Sequence, residues 1–381
     1  MRIIYFASSA IPSHTANSIQ VMSMCNAFAK CNVDIELVVP WRPEKIFTMP
    51  NAFLNVRDHY GIIMQFPIRY IFNPIPTIGN KYLWKMRNRY YIKIAQRYSG
   101  KAKHHLAYTR SPDLAIALVD KGIPVVVECH EYELYRDRGD LERLLKAANS
   151  PLLRLIVAIS ANLKRLYVEF GLPESKIMVA HDGVDEELLD SGYRRLPLDK
   201  MKIGIPNGKP VVCYAGKMSE DRGIKLLLDA TKILPDYYFM FVGETKKEIV
   251  SWHTYINNSK NVKFIGFVPP KEVAKYLKMA DILVAPYTTK IPTFNVASPL
   301  KVFEYMAMGK STVMSNLPTI QEVATDGYDA ILVEPDSVRG LVDGLRRAQD
   351  HEMLHIGTNA RKTMEQYTWQ VRAQRILDAL K

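Results

Sequence analysis

The sequence Ser298-Pro299-Leu300-Lys301-Val302-Phe303-Glu304-Tyr305-Met306-Ala307-Met308-Gly309-Lys310 is preceded by Asp281-Ile282-Leu283-Val284-Ala285-Pro286 and followed by Ser311-Thr312-Val313-Met314. Two apolar runs around a loop and a helical stretch predict strand, loop, helix and strand. Pro299 suits the first helical turn and Gly309 suits its end. A helix that begins beyond the carboxyl end of a buried strand presents free backbone N–H groups and the positive end of its dipole. At an exposed terminus that favours an anion by ~0.3–1 kcal/mol. Lys301 and Glu304 lie one helical turn apart, so both can project from one side of the helix. One suits phosphate, the other a sugar hydroxyl.

Working back from this stretch, Pro210 to Ala215 predicts a buried strand that ends in Gly216-Lys217-Met218-Ser219-Glu220-Asp221-Arg222-Gly223, placing two cations beside a glycine-bounded turn. Tyr238 to Gly243 and Val262 to Gly266 predict the next strands, with Gly243-Glu244 and Gly266-Phe267 at their ends, and Pro270 to Met279 predicts a helix. After the central stretch come a short helix at Ile320 to Thr325, a strand at Ala330 to Val333, and helices at Val338 to Ala348, Met353 to Thr363 and from about Thr368.

The first half repeats the alternation. Arg2 to Ala7 predicts a strand, a loop Ser8 to Thr15 leads to a helix capped near Asn17 or Ser18 and running to about Lys30, and Val33 to Val39 returns as a strand. That spacing suits a parallel crossover. Asn80 to Ser99 predicts an amphipathic helix, with Leu83, Met86, Tyr90, Tyr91, Ile94 and Tyr98 at three and four residue spacing and Lys85, Arg89, Lys93 and Arg97 repeating every four. Leu106 to Thr109, Pro124 to Glu128 and Leu155 to Ser160 predict further strands. The second of these ends in Glu128-Cys129-His130-Glu131, a titratable cluster where α/β folds place ligands. Asp137 to Asn149 predicts a charged helix. A helix to Phe170 and a strand at Lys176 to Ala180 precede the turn His181-Asp182-Gly183-Val184-Asp185.

In its central stretch and the glycine turn before it, the chain resembles the family 4 retaining glycosyltransferases. The likeness spans nearly the whole chain and is densest from Val212 to Glu334. It implies the GT-B fold, an α/β architecture of two Rossmann-like domains with parallel sheets and an interdomain cleft, the C-terminal helix crossing back to the first domain. The expected division is an acceptor-binding domain at 1–190, rejoined by 366–381, a linker at 191–209 rich in proline and polar residues, and a nucleotide-sugar-binding domain at 210–365. The resemblance assigns Glu304 to the nucleotide ribose and Ser298, Leu300, Lys301, Gly216 and Gly243 to the donor. It places Lys217 and Arg222 on the leaving diphosphate, with the two cations exchanged relative to the usual Gly-Arg-x4-Lys-Gly order. His130 matches a histidine near the donor sugar, which Glu128 would orient; its other reading is a satisfied histidine at the domain interface. Thr15 and Asn17 fall on the acceptor side, where the family has a glycine-rich turn. The family usually has a glutamate eight residues before Glu304, at the place of Val296, and an asparagine at that of Asp182.

The 381 residues suit two domains, and a composition of 48% hydrophobic and 24% charged residues is ordinary for a globular protein. No apolar run approaches the ~20 residues of a membrane span, and the opening apolar run is shorter than a secretory core, so a cytoplasmic protein is expected. Cys25, Cys31, Cys129 and Cys213 lack zinc or disulfide spacing, and Cys129 and Cys213 fall in expected buried strands. The net charge of +12 is concentrated: from His59 to Pro112 there is no Asp or Glu, against ten Lys and Arg. Such a patch at residues 80–103 suits either the solvated face of a core helix or an anionic membrane surface, each basic residue near lipid adding ~1 kcal/mol.

The expected activity is transfer of a sugar from a nucleotide diphosphate sugar to a glycan or lipid-linked acceptor, with retention, in cell-surface polysaccharide or glycoconjugate synthesis. No metal or other cofactor is expected, because protein cations stabilise the leaving group and no Asp-x-Asp motif is placed to bind one. Two alternatives share the fold: a non-catalytic sugar-nucleotide-binding protein and a sugar-nucleotide epimerase. Nucleic acid is not an expected partner, since no recognised nucleic-acid module is present and the aromatics fit a core stripe.

Overall fold

The computed structural model describes residues 1–381 except 42–54, 76–80, 103, 191–202, 244–245, 258, 291 and 354. Asn80, Lys103, Glu244 and most of the expected linker therefore lie outside the described residues. The chain divides into one unit of Met1–Asp182 with Trp369–Lys381 and a second of Gly183–Thr368. The division thus falls before the proline-rich stretch.

In the first unit seven strands, β1 (Arg2–Phe6), β2 (Asp34–Pro40), β3 (Ile68–Ile71), β4 (Leu106–Thr109), β5 (Val125–Cys129), β6 (Leu153–Ala158) and β7 (Ile177–Val179), form a parallel sheet in the order β3-β2-β1-β4-β5-β6-β7. In the second, β8 (Val211–Ala215), β9 (Tyr238–Val242), β10 (Val262–Gly266), β11 (Ile282–Ala285), β12 (Ser311–Ser315) and β13 (Ile331–Val333) lie parallel in the order β10-β9-β8-β11-β12-β13. Strands such as β5, β8, β9 and β11 are buried at every position, as continuous apolar runs must be when helices cover both sheet faces. Strand order reverses beside β1 and β8, so each sheet has a switch point at which diverging connections leave a crevice beyond the carboxyl ends.

Several boundaries differ from expectation for local reasons. The first helix, Ala16–Lys30, is capped by Thr15, whose hydroxyl accepts from the Ser18 N–H at 3.4 Å, rather than by Asn17 or Ser18. Pro299 is extended (φ −73°, ψ 116°) and caps the helix Leu300–Ala307 from outside its first turn. Gly309 follows that helix at φ +65°, the left-handed position a glycine serves best. The charged stretch after β5 is two helices, Glu133–Asp137 and Asp140–Ala148, separated by Gly139 at φ +70°. The strand β3 and the helix Pro112–Val119 were not foreseen.

The helix Lys81–Lys101 packs on the first sheet through Tyr91, whose hydroxyl donates to the Val38 carbonyl at 2.8 Å, buried Ala95, and Tyr98, whose hydroxyl donates to Glu36 Oε1 at 2.7 Å. Lys85, Arg89, Lys93 and Arg97 are exposed. Met86, expected in the apolar stripe, is exposed too, with Tyr82 and Trp84. Cys129 and Cys213 are buried and free. No helix among the described residues is long and apolar enough to cross a membrane.

The last helix, Trp369–Asp378, packs against Ala16–Lys30 in the first unit. The chain enters the second unit near Val184 and leaves it at Thr368, and these ends are joined: the Val184 N–H donates to the Tyr367 carbonyl at 3.0 Å.

Candidate active site

In the second unit the site forms at the switch point between β8 and β11. Gly216 follows β8 at φ +132°, and a Cβ there would stand 2.8 Å from Lys301 Nζ, so the ammonium lies against the turn's backbone. Gly243, after β9 at φ +116°, backs the turn, where a Cβ would come within 3.0 Å of the Gly216 carbonyl oxygen. The Tyr305 hydroxyl receives the Ala215 N–H at 2.7 Å and reaches its carbonyl at 3.2 Å, pinning the central helix to the end of β8. Lys301 Nζ sits 3.8 Å from the Tyr214 ring centroid and 5.7 Å from that of Tyr287. The Arg222 guanidinium lies 6.0 Å from the Tyr287 ring and 5.1 Å from that of Phe294. Rings thus seat both cations, and among the described residues no carboxylate is hydrogen-bonded to either.

Electrostatics tie the group together. Burial and the nearby Arg222 push Lys301 down to about 7, against Glu304. Burial and the Asp185 carboxylate push Glu304 up to about 7, against Lys301. A partly buried pair whose charges are both so strained suits a ligand that would complete them: an anion for the cations, hydroxyls for the carboxylate.

Arg222, Lys301, Glu304, Gly216 and Gly243 are therefore brought together. Lys217 is on the same turn and exposed, and its carbonyl, not its ammonium, is held, by the Tyr214 hydroxyl at 2.7 Å. Ser298 is buried in the loop before the helix and Leu300 opens the helix, partly exposed. Val296 is buried, with 1% exposure, so no carboxylate stands at that position. Tyr214, Tyr287, Phe294 and Tyr305 were not singled out from sequence. Only their spacing from the glycines and Pro286 could have pointed to them.

In the first unit the titratable cluster is built on β4, β5, the first helix and the last helix. His130 follows β5 and its Nε2 lies 2.6 Å from Glu128 Oε1. Glu128 is fully buried. It also receives Gln20 Nε2 at 2.5 Å, the Tyr108 hydroxyl, and Arg372 Nη1 at 3.0 Å. Burial alone would raise the Glu128 carboxyl, but Arg372, His130 and Arg110 outweigh it and hold it well below the usual range. Burial, with Arg110 and Arg372, pushes His130 down to about 4 despite Glu128, so the ring is neutral at physiological pH. Burial pushes Asp182, 4.0 Å from Arg372 Nη2, up to about 6. Arg372 itself, from the last helix, was missed: a buried arginine is legible only through partners distant in sequence.

Thr15 and Asn17 are both exposed. The Thr15 hydroxyl is engaged in capping and with Ser13 Oγ at 3.2 Å. Asn17 Oδ1 accepts from Ser9 Oγ at 2.6 Å and Arg110 Nη1 at 2.9 Å. Among the described residues no group of three or more His, Cys, Asp and Glu is placed to hold a metal ion.

Two family profiles match in sequence: that of "Glycosyltransferase Family 4" over residues 18–188 and that of "Glycosyl transferases group 1" over 197–368. Among curated proteins, the chain is 27% identical over 246 residues to the lipopolysaccharide 1,2-N-acetylglucosaminetransferase of Salmonella typhimurium, covering 59% of this chain and 61% of that one. It is 23% identical over 203 residues to the Escherichia coli UDP-Gal:alpha-D-GlcNAc-diphosphoundecaprenol alpha-1,3-galactosyltransferase, covering 51% and 49%. The matches thus span between about half and three fifths of the length of these relatives. Among solved structures, Anabaena HepE in complex with UDP superposes with a TM-score of 0.75 at 18% identity, covering 100% of this chain and 99% of that one. Staphylococcus aureus TarM superposes with a TM-score of 0.71 at 11% identity over 100% of both chains. At these identities the structural likeness establishes the GT-B fold.

Proposed function

Because the chain belongs to the family 4, group 1 glycosyltransferases, we propose that it transfers a sugar from a nucleoside diphosphate sugar to a glycan or lipid-linked acceptor, with retention and without a divalent metal. The observation that carries this reading is the convergence of Arg222, Lys301 and Glu304 on the Gly216 turn. Breaking the glycosidic bond loads negative charge onto the diphosphate. Preorganised cations and backbone N–H groups at that point lower the barrier without reorganising.

In this reading Arg222, Lys301 and the backbone from Ser298 to Leu300 take the diphosphate, and Lys217 closes over it from its exposed position on the turn. Gly216 and Gly243 let the diphosphate and nucleoside approach main chain, and Glu304 accepts hydrogen bonds from the ribose. His130 accepts one from the transferred sugar. Asn17, already polarised by Arg110, and Thr15 border the acceptor. Uridine diphosphate sugars are the first donors to test, since the solved neighbour holds UDP and the Escherichia coli relative is a UDP-Gal transferase.

A panel of UDP-glucose, UDP-galactose, UDP-N-acetylglucosamine and GDP-mannose, followed by thermal stabilisation and then by NMR of the product's anomeric signal, tests the assignment. Arg222→Ala or Lys217→Ala should each lower transfer ~10²–10³-fold, and EDTA should leave it unchanged. Transfer at the wild-type rate by the double variant would refute the mechanism; tight nucleotide binding without turnover would favour a non-catalytic protein; an epimerised nucleotide sugar would favour an epimerase.

We propose also that the exposed basic residues of Lys81–Lys101, with Tyr82, Trp84 and Met86 exposed beside them, rest on anionic lipid at the inner face of the membrane. Charge reversal at Lys85, Arg89 and Lys93 should abolish sedimentation with phosphatidylglycerol vesicles at low salt. Unchanged sedimentation would refute it.

A further inference from the structure

We infer that Glu128 and Arg372 are positioning residues, which fix His130 as the tautomer protonated on Nε2 and leave Nδ1 a bare acceptor for a substrate hydroxyl. The functional part rests on the glycosyltransferase reading; the tautomer does not.

The argument begins with the carboxylate. An ionised Glu128 can only accept, so the Nε2 atom 2.6 Å from its Oε1 must carry the proton. Imidazole has two nitrogens, and a neutral ring with Nε2–H has an Nδ1 lone pair. No hydrogen bond joins that Nδ1 to another described residue, and the side chain keeps 15% exposure. The ring is therefore held at one nitrogen and offered at the other.

What holds the carboxylate is equally constrained. Glu128 is completely buried on β5, and a buried charge needs a partner. Arg372 Nη1 supplies it at 3.0 Å, and the rest of the guanidinium is fastened independently: its Nε donates to the His181 carbonyl at 2.8 Å and its Nη2 to the Ala180 carbonyl at 3.1 Å. Gln20 fixes the remaining direction. Its Oε1 accepts from Arg110 Nη1 at 2.9 Å, so its amide nitrogen must be the atom that donates to Glu128 at 2.5 Å. With Tyr108 also donating, Glu128 has no freedom to rotate and no lone pair to spare for a water that could compete with His130. The charged groups that act on the imidazole are Glu128 from β5, Arg110 from the loop after β4, and Arg372 from the last helix.

The arrangement assigns a task to the last helix that packing alone does not require. A leucine or methionine at position 372 could fill the same buried space, whereas only a fixed cation holds a carboxylate ionised there. Partners that orient metal-ligating imidazoles in other proteins contribute about tenfold to hundredfold to metal affinity or activity, and the same order is expected for an oriented imidazole that holds a hydroxyl.

The test is long-range ¹⁵N–¹H correlation NMR of the imidazole nitrogens, with the His130 signals assigned by their loss in His130→Asn. In the wild-type protein from pH 6 to pH 8 we expect one tautomer, protonated at Nε2, with that proton protected from solvent exchange. A ring protonated on Nδ1, a mixture of tautomers, or an imidazolium at pH 7 overturns the inference whatever the enzyme's donor. The double variant Glu128→Gln, Arg372→Met removes the Glu128–Arg372 pair together, so Glu128 is not left as a buried charge without Arg372, although Asp182 loses the cation 4.0 Å away. There we expect exchange protection to vanish and kcat to fall about tenfold to hundredfold with the best donor of the panel above. A folded double variant that keeps the protected proton, or keeps kcat within about twofold, overturns it. If the double variant does not fold, the wild-type spectrum decides. If no donor of the panel is turned over, the glycosyltransferase reading fails while the tautomer assignment is still settled by the spectrum.

Discussion

The ammonium of Lys301 lies 3.8 Å from the centroid of the Tyr214 ring. The same tyrosine donates its hydroxyl to the Lys217 carbonyl, so one side chain both seats a cation and fixes the turn that presents another. The two functions can be separated. Tyr214→Phe keeps the ring and should cost only about 1 kcal/mol of stability from the lost hydrogen bond. Tyr214→Leu also removes the π-face and should weaken donor binding about fivefold to thirtyfold, a loss of ~1–2 kcal/mol. Calorimetric titration of both variants checks the order.

Donor affinity should depend on pH in a bell centred near neutrality. Lys301 is shifted down, so its ammonium is lost as pH rises through about 7, and Glu304 is shifted up, so its carboxylate is lost as pH falls through about 7. Each flank should approach tenfold in affinity per pH unit. Titrating UDP-glucose, whose diphosphate does not ionise in this range, from pH 5 to pH 9 measures it. An affinity flat across that range would contradict the prediction.

Lys301→Met should make the free protein more stable and the donor-bound protein harder to form. The lysine's charged form is disfavoured in the fold, so replacing it removes a cost that falls on the unliganded protein below about pH 7 and fades as pH rises above it. Near pH 6 the melting temperature should rise by roughly 2–4 °C, with a smaller rise at pH 8.5. Thermal scans at the two pH values, with and without donor, test both halves of the prediction.

Gly223 admits no side chain. A Cβ there would lie 1.6 Å from the Pro286 carbonyl oxygen, and the backbone is at φ +74°, so Gly223→Ala meets both main chain and conformational strain. It should cost about 3 kcal/mol or more and move Arg222, its neighbour, away from the donor. Gly122, at φ +76° with nothing within 4 Å of its Cβ, is the control. Gly122→Ala should cost about 1–2 kcal/mol and leave donor binding unchanged. Denaturant unfolding of the two variants separates clash from strain.

The second unit was the more legible in sequence, and the reason is physical. Glycine turns and cations beside a helix start are local features, so the neighbourhood of Gly216, Lys301 and Glu304 could be read from a few residues around them. Val262–Gly266 and Pro270–Met279 were placed to the residue because glycine and proline end or begin the element. Ile68–Ile71 was missed because Arg69 and Tyr70 break its apolar run, and its place at the sheet edge tolerates that. The helix Pro112–Val119 has a start that is visible in sequence, Ser111 capping the Leu114 N–H with proline following, but at eight residues it is too short for its apolar periodicity to stand out. Thr15, expected on the acceptor side, also caps a helix with its hydroxyl, a structural task that residue type alone does not announce. Arg372, Gln20 and Asp182 meet Glu128 or one another only after the chain has folded, so no spacing announces them.

The first unit is sewn from two pieces of chain, with 186 residues of the other unit between Asp182 and Trp369. On the ribosome, which makes the chain from its amino end, Glu128 is therefore produced long before the guanidinium that neutralises it, while the second unit has all its own residues in hand before the last helix emerges. A polypeptide that stops before Trp369 keeps Glu128 inside a hydrophobic sheet with Arg110 acting on it but without Arg372 beside it. Such a fragment is open to degradation, so the first unit becomes secure only once the whole of the second has been synthesised.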